Sequence, residues 1–360
     1  MKVIANPWRG SGLPRTEDLA EGTVSTNAAA AAKLYATCPK ANTTPLLERP
    51  DLATAFDVSA LHLKDERPRM GLGSFKALGA AYTIAKRADA QISRGKANTH
   101  ETALSGVTFA CASAGNHGMS LAAGAPLFGA KAVVFIAETV PEAFAERLRA
   151  KGADVIRAGT TYEEGMAEAK RRSADKGWHL LPDSTWPGET DAARDVMEGY
   201  LIMGTEIAIQ MAEPPTHIFL QAGVGGLAAA ATVSARATWG DDPIIVIVEP
   251  DAAPALQASI EEGRAVLTDG PVSNMGRLDC KDPSHLALKR LAADADYFMT
   301  IRDEDATECV HFLSTNGLQT TPSGAAGVAG LFAACRSPDQ VKLTPKSRVL
   351  CYLSEGPEDG

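Results

Sequence analysis

Apolar residues fall along this chain in short runs separated by longer amphipathic stretches. Val107 to Ala110, Ala132 to Ile136, Asp154 to Ile156, Ile218 to Leu220, Ile244 to Val248 and Val349 to Leu353 are brief and mostly apolar, and they read as strands. Leu61 and Leu63 read as the end of another. Pro141 to Lys151, Tyr162 to Lys176, Asp191 to Met211 and Leu227 to Thr238 read as helices, as do the shorter Ala77 to Ala85 and Met119 to Ala123. Such alternation predicts an α/β fold of parallel sheets covered by helices. Ligands of these folds bind at the carboxyl ends of the strands. Residues 1 to about 40 are rich in Ala, Gly and Thr and are expected to wrap the surface or meet a partner subunit. No internal repeat marks a solenoid.

Three breaks in the pattern carry candidate chemistry. The first is Gly71-Leu72-Gly73-Ser74-Phe75-Lys76, after the Leu61 strand and before the Ala77 helix. A lysine at a helix N-terminus meets the positive end of the macrodipole, which disfavours an added cation. A neutral lysine amine attacks carbonyls. A lysine taken alone is nevertheless a solvated surface residue far more often. The second break is Cys111-Ala112-Ser113-Ala114-Gly115-Asn116-His117-Gly118. A strand, a turn of small polar residues and a helix bring backbone N–H groups and a helix dipole to one point, which suits an anion. The plain alternative is an ordinary turn with a structural histidine. The third is Gln221-Ala222-Gly223-Val224-Gly225-Gly226-Leu227, again between a strand and a helix. Its glycines let backbone approach a phosphate. With Glu249 at the end of the next strand it also imitates a dinucleotide fingerprint, although Gly-x-Gly-Gly departs from that spacing.

Composition narrows the partners. The chain has 360 residues, 45% hydrophobic and 22% charged, enough for two domains of an ordinary globular protein. A net charge of −9 and the lack of a basic patch argue against nucleic acid. No run of apolar residues is long enough to span a membrane, and Met1 to Pro7 lacks a signal-peptide core. Six cysteines without paired spacing fit reduced thiols in a cytoplasmic protein. No Cys/His cluster has zinc-ligand spacing, and no metal is expected.

The three motifs, in this order, resemble the fold type II pyridoxal-phosphate enzymes, the tryptophan synthase β-like superfamily. The resemblance implies two domains, each a mainly parallel sheet covered by helices: residues 1–82 with 187–360 as the large cofactor domain, and 83–186 as the small one. It implies that Lys76 carries pyridoxal 5'-phosphate in Schiff-base linkage, with Phe75 beside it. Asn116 would contact the ring hydroxyl, and Gly223, Val224, Gly225, Gly226 and Leu227 would cradle the phosphate. Ser354, in Cys351-Tyr352-Leu353-Ser354-Glu355-Gly356, would face the pyridine nitrogen. Ser113, Ala114, Gly115 and His117 would hold the substrate carboxylate.

Further blocks resemble the 2,3-diaminopropionate ammonia-lyases: Lys64 to Lys76, Pro182-Asp183-Ser184-Thr185-Trp186-Pro187-Gly188, Val196 to Tyr200, Val248-Glu249-Pro250, Cys280 with Asp282-Pro283-Ser284, and Ser323 to Gly327. The similarity runs from about Thr44 to Gly356. Three positions depart from that pattern: Ala114 replaces an aspartate, Lys281 a glycine and Pro322 a glutamate. The implied reaction is an α,β-elimination on a small β-substituted L-amino acid, best 2,3-diaminopropionate, giving a 2-oxo acid and ammonia. Lys76 would remove the α-proton. Asp183, desolvated beside Trp186, would keep a proton for the leaving group, or else serve only as a turn or cap residue, since Asp-Ser-Thr is also good turn chemistry. Dehydration of serine, threonine or 3-hydroxyaspartate is the alternative that Ala114 favours; Arg69, Arg277 or Lys281 could then bind a side-chain carboxylate, or simply lie solvated. A nicotinamide-dependent oxidoreductase is the remote third. A homodimer is expected.

Overall fold

A computed structural model describes residues 1–357. The strands, in chain order, are β1 (Lys2–Ala5), β2 (Leu46–Glu48), β3 (Ala60–Asp65), β4 (Thr108–Ala112), β5 (Lys131–Ile136), β6 (Ala153–Arg157), β7 (His179–Leu180), β8 (His217–Gln221), β9 (Ile244–Pro250), β10 (Tyr297–Ile301) and β11 (Arg348–Leu353). They form a seven-stranded sheet in the order β1-β10-β9-β8-β11-β3-β2 and a four-stranded sheet in the order β6-β5-β4-β7. The neighbours from β10 through β9, β8 and β11 to β3 are all parallel, as is the smaller sheet. Only the edge strands β1 and β2 run antiparallel. Central strands such as β8 and β11 are buried on both faces, which is why they read as unbroken apolar runs.

The expected elements lie within a few residues of their observed positions. The helix Tyr162–Lys176 starts from a capping box of Thr161 and Glu164 and stops at the left-handed Gly177. The helix opened by Lys76 runs on to Ser93, well beyond Ala85. The N-terminal segment differs from expectation: Lys2–Ala5 is an edge strand of the large sheet, with Lys2 opposite Thr300. Four half-exposed residues give too short an alternation to declare a strand.

Register and crossovers bring the carboxyl ends of β3, β8 and β11 side by side, at Asp65, Gln221 and Leu353. The turn after β3 is fixed from below by buried charge. Lys64, Glu66 and Arg69 are wholly buried, and Glu206 from the helix Asp191–Gln210 nearly so. The Arg69 guanidinium donates to Glu66 and to both Glu206 oxygens at 2.7 Å, while Lys64 Nζ reaches Glu206 at 2.6 Å. Arg69 also donates to the Thr44 hydroxyl at 2.8 Å and the Asn42 carbonyl at 2.9 Å, which ties in the preceding loop. Two cations face two carboxylates, so the cluster is neutral as a set. Arg69 is therefore neither solvated nor available to a substrate, contrary to both sequence expectations.

Burial alone would raise the Glu206 carboxyl, but Arg69 and Lys64 outweigh it and hold the group below its ordinary range. Replacing Arg69 by Met should leave two buried carboxylates short of a cation and cost about 3–5 kcal/mol of stability, read by urea unfolding. Because Glu206 is depressed in the folded state, its contribution is present above about pH 4.3 and is lost as the pH falls through the folded value. Wild type should lose stability on acidification more steeply than Arg69→Met. Equal midpoints at neutral pH would mean the cluster contributes nothing to stability.

Candidate active site

Lys76 owes its place to a zipped turn. Met70, Gly71 and Gly73 take left-handed φ values of 52°, 69° and 79°, reversing the chain after β3. Beyond them Phe75 N–H donates to the Ser354 carbonyl at 3.1 Å and Gly356 N–H to the Gly73 carbonyl at 2.9 Å, with Ser74 paired to Glu355. The Lys76 backbone is thereby fastened to the end of β11, next to the buried Ser354. Phe75 packs edge-on against Tyr200, ring centroids 4.9 Å apart.

The Lys76 ammonium meets the Asp183 carboxylate in a short ion pair, the two side chains 22% and 20% exposed. Asp183 comes from the loop after β7, so the pair joins the lysine turn to the segment leaving the smaller sheet. Burial would pull the Lys76 ammonium down, but Asp183 outweighs it and holds the group above its ordinary value. The helix dipole, which the sequence reading expected to disfavour the cation, does not decide the matter. Burial would likewise raise the Asp183 carboxyl, yet the Lys76 ammonium holds it below the usual range. Facing a charged Lys76, Asp183 is thus favoured as the carboxylate, whereas burial beside Trp186 alone would favour the protonated acid.

The turn Ser113–Gly115 leads into the helix Asn116–Gly124, which has no side-chain cap and so presents open N–H groups. Ser113 Oγ accepts from Gly115 N–H at 3.3 Å. Ala114 beside it is half-buried. A Cβ on Gly115 would lie 2.5 Å from Arg277 Nη1, so a guanidinium rests directly over the turn. His117 is turned elsewhere: its Nε2–H donates to the Leu181 carbonyl at 2.8 Å, and burial lowers its pKa, keeping the ring neutral. It anchors the strand leading to Asp183 and does not open toward a substrate, which counts against its expected carboxylate contact.

The glycine loop sits between β8 and the helix Gly226–Trp239, also without a side-chain cap. Gly225 needs its glycine, at φ 99°. Gly223 needs one for space, because a Cβ would meet Cys280 Sγ at 3.0 Å, the Leu278 Cα at 3.1 Å and the Arg277 carbonyl at 3.2 Å. Val224 accepts from Ser284 N–H at 2.9 Å, and Leu227 is buried beneath. Two uncapped helix N-termini and a lysine amine are a donor set that fits a phosphate-bearing aldehyde.

Several residues join the site without having been singled out. Glu355, buried, accepts from Arg277 Nε at 3.0 Å and makes short bonds with Thr321 Oγ1 and with the amide of Asn116. Burial pushes the Cys280 thiol up to about 11, with Lys76 pulling the other way. Tyr200 also lies within the field of Lys76 and Asp183. Glu355 and Tyr200 stood inside the resembling blocks, which was their only signal in the sequence. Lys281 does not reach the site: its Nζ donates to the Ala252 and Pro271 carbonyls and to Asp279, bracing its own loop. Glu249 accepts two N–H bonds at 2.8 Å from Leu256 and Gln257, capping the next helix, while burial pushes it up to about 8. It is sealed away from any ribose, which removes the dinucleotide reading.

Comparison with known proteins agrees with this geometry. The family model described as "Pyridoxal-phosphate dependent enzyme" matches residues 39–355. The diaminopropionate ammonia-lyase of Escherichia coli is 30% identical over 338 residues, covering 88% of this chain and 85% of that protein. The crystal structure of that Escherichia coli enzyme in complex with an aminoacrylate–PLP azomethine intermediate superposes with a TM-score of 0.87 at 26% identity, covering 99% of this chain and 94% of the other. Its complex with D-serine superposes equally well, at TM-score 0.87, 26% identity and the same coverage of 99% and 94%.

The Lys76–Asp183 pair makes one electrostatic prediction. Asp183→Asn removes the strongest group that holds Lys76 up and leaves burial opposed only by Tyr200 and Cys280, so its ammonium should titrate roughly 1–3 pH units lower. Amine-directed acylation of cofactor-free enzyme, followed at Lys76 by mass spectrometry against pH, reads this directly. An unchanged profile would show that Asp183 does not set the charge on Lys76.

Proposed function

We propose, for a chain that belongs to the pyridoxal-phosphate-dependent enzyme family, an ammonia-lyase activity on a small β-substituted L-amino acid, best 2,3-diaminopropionate, yielding a 2-oxo acid and ammonia. The architecture is fold type II and the cofactor is pyridoxal phosphate. The observation that carries the choice of substrate is the position of the Asp183 carboxyl group, against the lysine nitrogen that would hold the cofactor. A β-ammonium group leaves with its own proton and is attracted to a fixed carboxylate. A β-hydroxyl would instead need a proton donor at that place.

Bound pyridoxal phosphate supplies the electron sink that acidifies the substrate Cα–H. The rest belongs to the chain. Lys76 Nζ would hold the cofactor's carbonyl carbon and, once freed by the substrate amine, accept the α-proton. Gly223 to Leu227 would hold the phosphate at the helix N-terminus. Phe75, Asn116 and Ser354 would fix the ring, with the Asn116 amide oriented by Glu355. A neutral Ser354 hydroxyl facing the ring nitrogen would leave it less protonated than a carboxylate would, which suits elimination. The turn Ser113–Gly115 would bind the substrate carboxylate through its open N–H groups. Asp183 would hold the β-ammonium until it departs.

The two sheets support a division into residues 1–82 with 187–360 and residues 83–186, the four-stranded sheet falling inside the second. All six cysteines are unpaired, which supports a reducing, cytoplasmic setting. A homodimer completes the proposal. One observation favours a second substrate: the Arg277 guanidinium over Gly115 would suit the extra carboxylate of 3-hydroxyaspartate.

The direct test is release of ammonia and 2-oxo acid from L-2,3-diaminopropionate, L-serine, L-threonine and L-3-hydroxyaspartate. Diaminopropionate should give the highest kcat/KM, and Lys76→Ala should lose both turnover and borohydride-trapped cofactor while keeping its circular dichroism. A hydroxy amino acid as the best substrate would overturn the assignment of Asp183.

Enantiomer preference gives an independent prediction. Removing the α-proton from either face needs a base on each, and Lys76 serves one. Ala114 has no titratable group where the resembling lyases carry an aspartate. Turnover of D-diaminopropionate should therefore be slower by about 10²-fold or more, measured as kcat/KM against the L-form. Equal values would place a second base elsewhere in the site.

A further inference from the structure

A concavity of about 810 Å³ takes no part in the chemistry above. Leu180, Leu181 and Trp186 line it, whereas Asp183, between them in sequence, does not and meets Lys76 instead. That short segment therefore has one side on the reaction space and another on this cavity. A second wall is a stripe of the helix Lys76–Ser93 and its C-cap, where Thr83, Arg87, Gln91 and Arg94 recur at helical spacing. Trp178 and His179 complete an aromatic wall with Trp186.

The charges lining the cavity do not cancel. Lys86 is paired with Asp195 and with Glu198, each at 2.8 Å, and Asp191 with Arg194 at 3.0 Å. Lys170 lies over the Trp186 ring at 3.8 Å, and its charge draws on Glu189. Two guanidinium groups are left over. Arg87 Nη2 donates to His179 Nε2 at 2.9 Å and has no carboxylate partner among the described residues. Arg94 has neither a side-chain hydrogen bond nor a carboxylate partner among them. Burial and then the Arg94 charge hold the Arg87 guanidinium below its ordinary value, as expected of like charges with no anion between them.

We propose that this cavity binds a phosphate monoester of an apolar or aromatic alcohol. The dianion lies between Arg87 and Arg94, and the body lies against Trp178 and Trp186. Guanidinium groups form two parallel N–H···O bonds to phosphate, and a dianion neutralises both cations at once. The volume falls in the range of small-molecule pockets, well beyond what a bare phosphate fills. The inference does not depend on the ammonia-lyase reading, because its measurement is binding and not turnover.

Phenyl phosphate is the probe, titrated by calorimetry into cofactor-loaded enzyme, with inorganic phosphate and phenol as the two half-ligands. One saturable site is expected. Binding should be roughly tenfold or more weaker in the Arg87→Gln/Arg94→Gln variant, whose turnover and circular dichroism stay normal. Arg94→Gln alone, at the exposed end of its helix, carries the same test if the double variant does not fold. Inorganic phosphate should bind more weakly than the ester, and phenol not measurably. The proposal is overturned by an absence of saturable binding at millimolar ester, by affinity that ignores both arginine changes, or by binding that releases the cofactor and so belongs to the Gly223 loop.

Discussion

The neutral cluster of Lys64, Glu66, Arg69 and Glu206 is the constraint on which the site hangs. Its members come from three pieces of backbone: the end of β3, the turn beyond it, and the helix Asp191–Gln210. Buried charges cannot drift apart, since each separation would expose an uncompensated ion to low dielectric. The turn is therefore fixed at its start by ion pairs and at its end by backbone bonds to Ser354 and Gly356. The helix that follows is fixed in turn by close packing. A Cβ on Gly199 would lie 2.6 Å from the Leu78 carbonyl, and one on Gly79 would lie 2.6 Å from Val196 Cγ1. Lys76 sits between these two restraints and has little freedom except in its own side chain.

Parallel strands explain why so many loops meet at that lysine. In a parallel sheet every carboxyl end lies on one edge, so the loops after β3, β8 and β11 are neighbours however far apart they are in the chain. The smaller sheet contributes the turn after β4 and the segment after β7. Two of these loops open helices with no side-chain cap, at Asn116 and Gly226. Their open N–H groups are a standing electrostatic demand for anions. A substrate carboxylate and a cofactor phosphate would satisfy the two demands separately.

Most of this was legible where local chemistry decides local structure. Periodicity located β3 to β6, β8, β9 and β11, and the helices that lie between β3 and β9, because apolar runs are local signals; β2, β7 and β10 were not read as strands. The short turns with glycine identified the loops. What escaped has a common physical cause. Arg69 looks in sequence like any charged residue in a Pro- and Gly-rich turn, and its burial depends on Glu206, 137 residues away. β1 needs the open edge of β10 to become a strand at all. Glu355 gains its role from Arg277, Thr321 and Asn116, which only the tertiary fold assembles. The expected proton on Asp183 failed for the same reason. Burial was foreseeable from its apolar neighbours, but the cation that overrides burial comes from Lys76, across the space between the two sheets.

That reversal also sharpens the chemistry. A desolvated carboxylic acid and an ion-paired carboxylate favour different leaving groups, although their residue and position are the same. The acid would protonate a departing hydroxide; the ion-paired carboxylate would attract a cation that already holds its proton. The arginine over Gly115 pulls in the other direction, because a guanidinium beside the turn rewards a second carboxylate on the substrate. Glu355 limits that pull. It holds Arg277 Nε and the Asn116 amide with one carboxylate, so moving Arg277 toward a ligand would disturb the residue proposed to hold the cofactor ring. The guanidinium is in this sense committed to the cofactor side of the site. Discrimination among β-substituents would then fall to Asp183, whose carboxyl group lies against the Lys76 nitrogen.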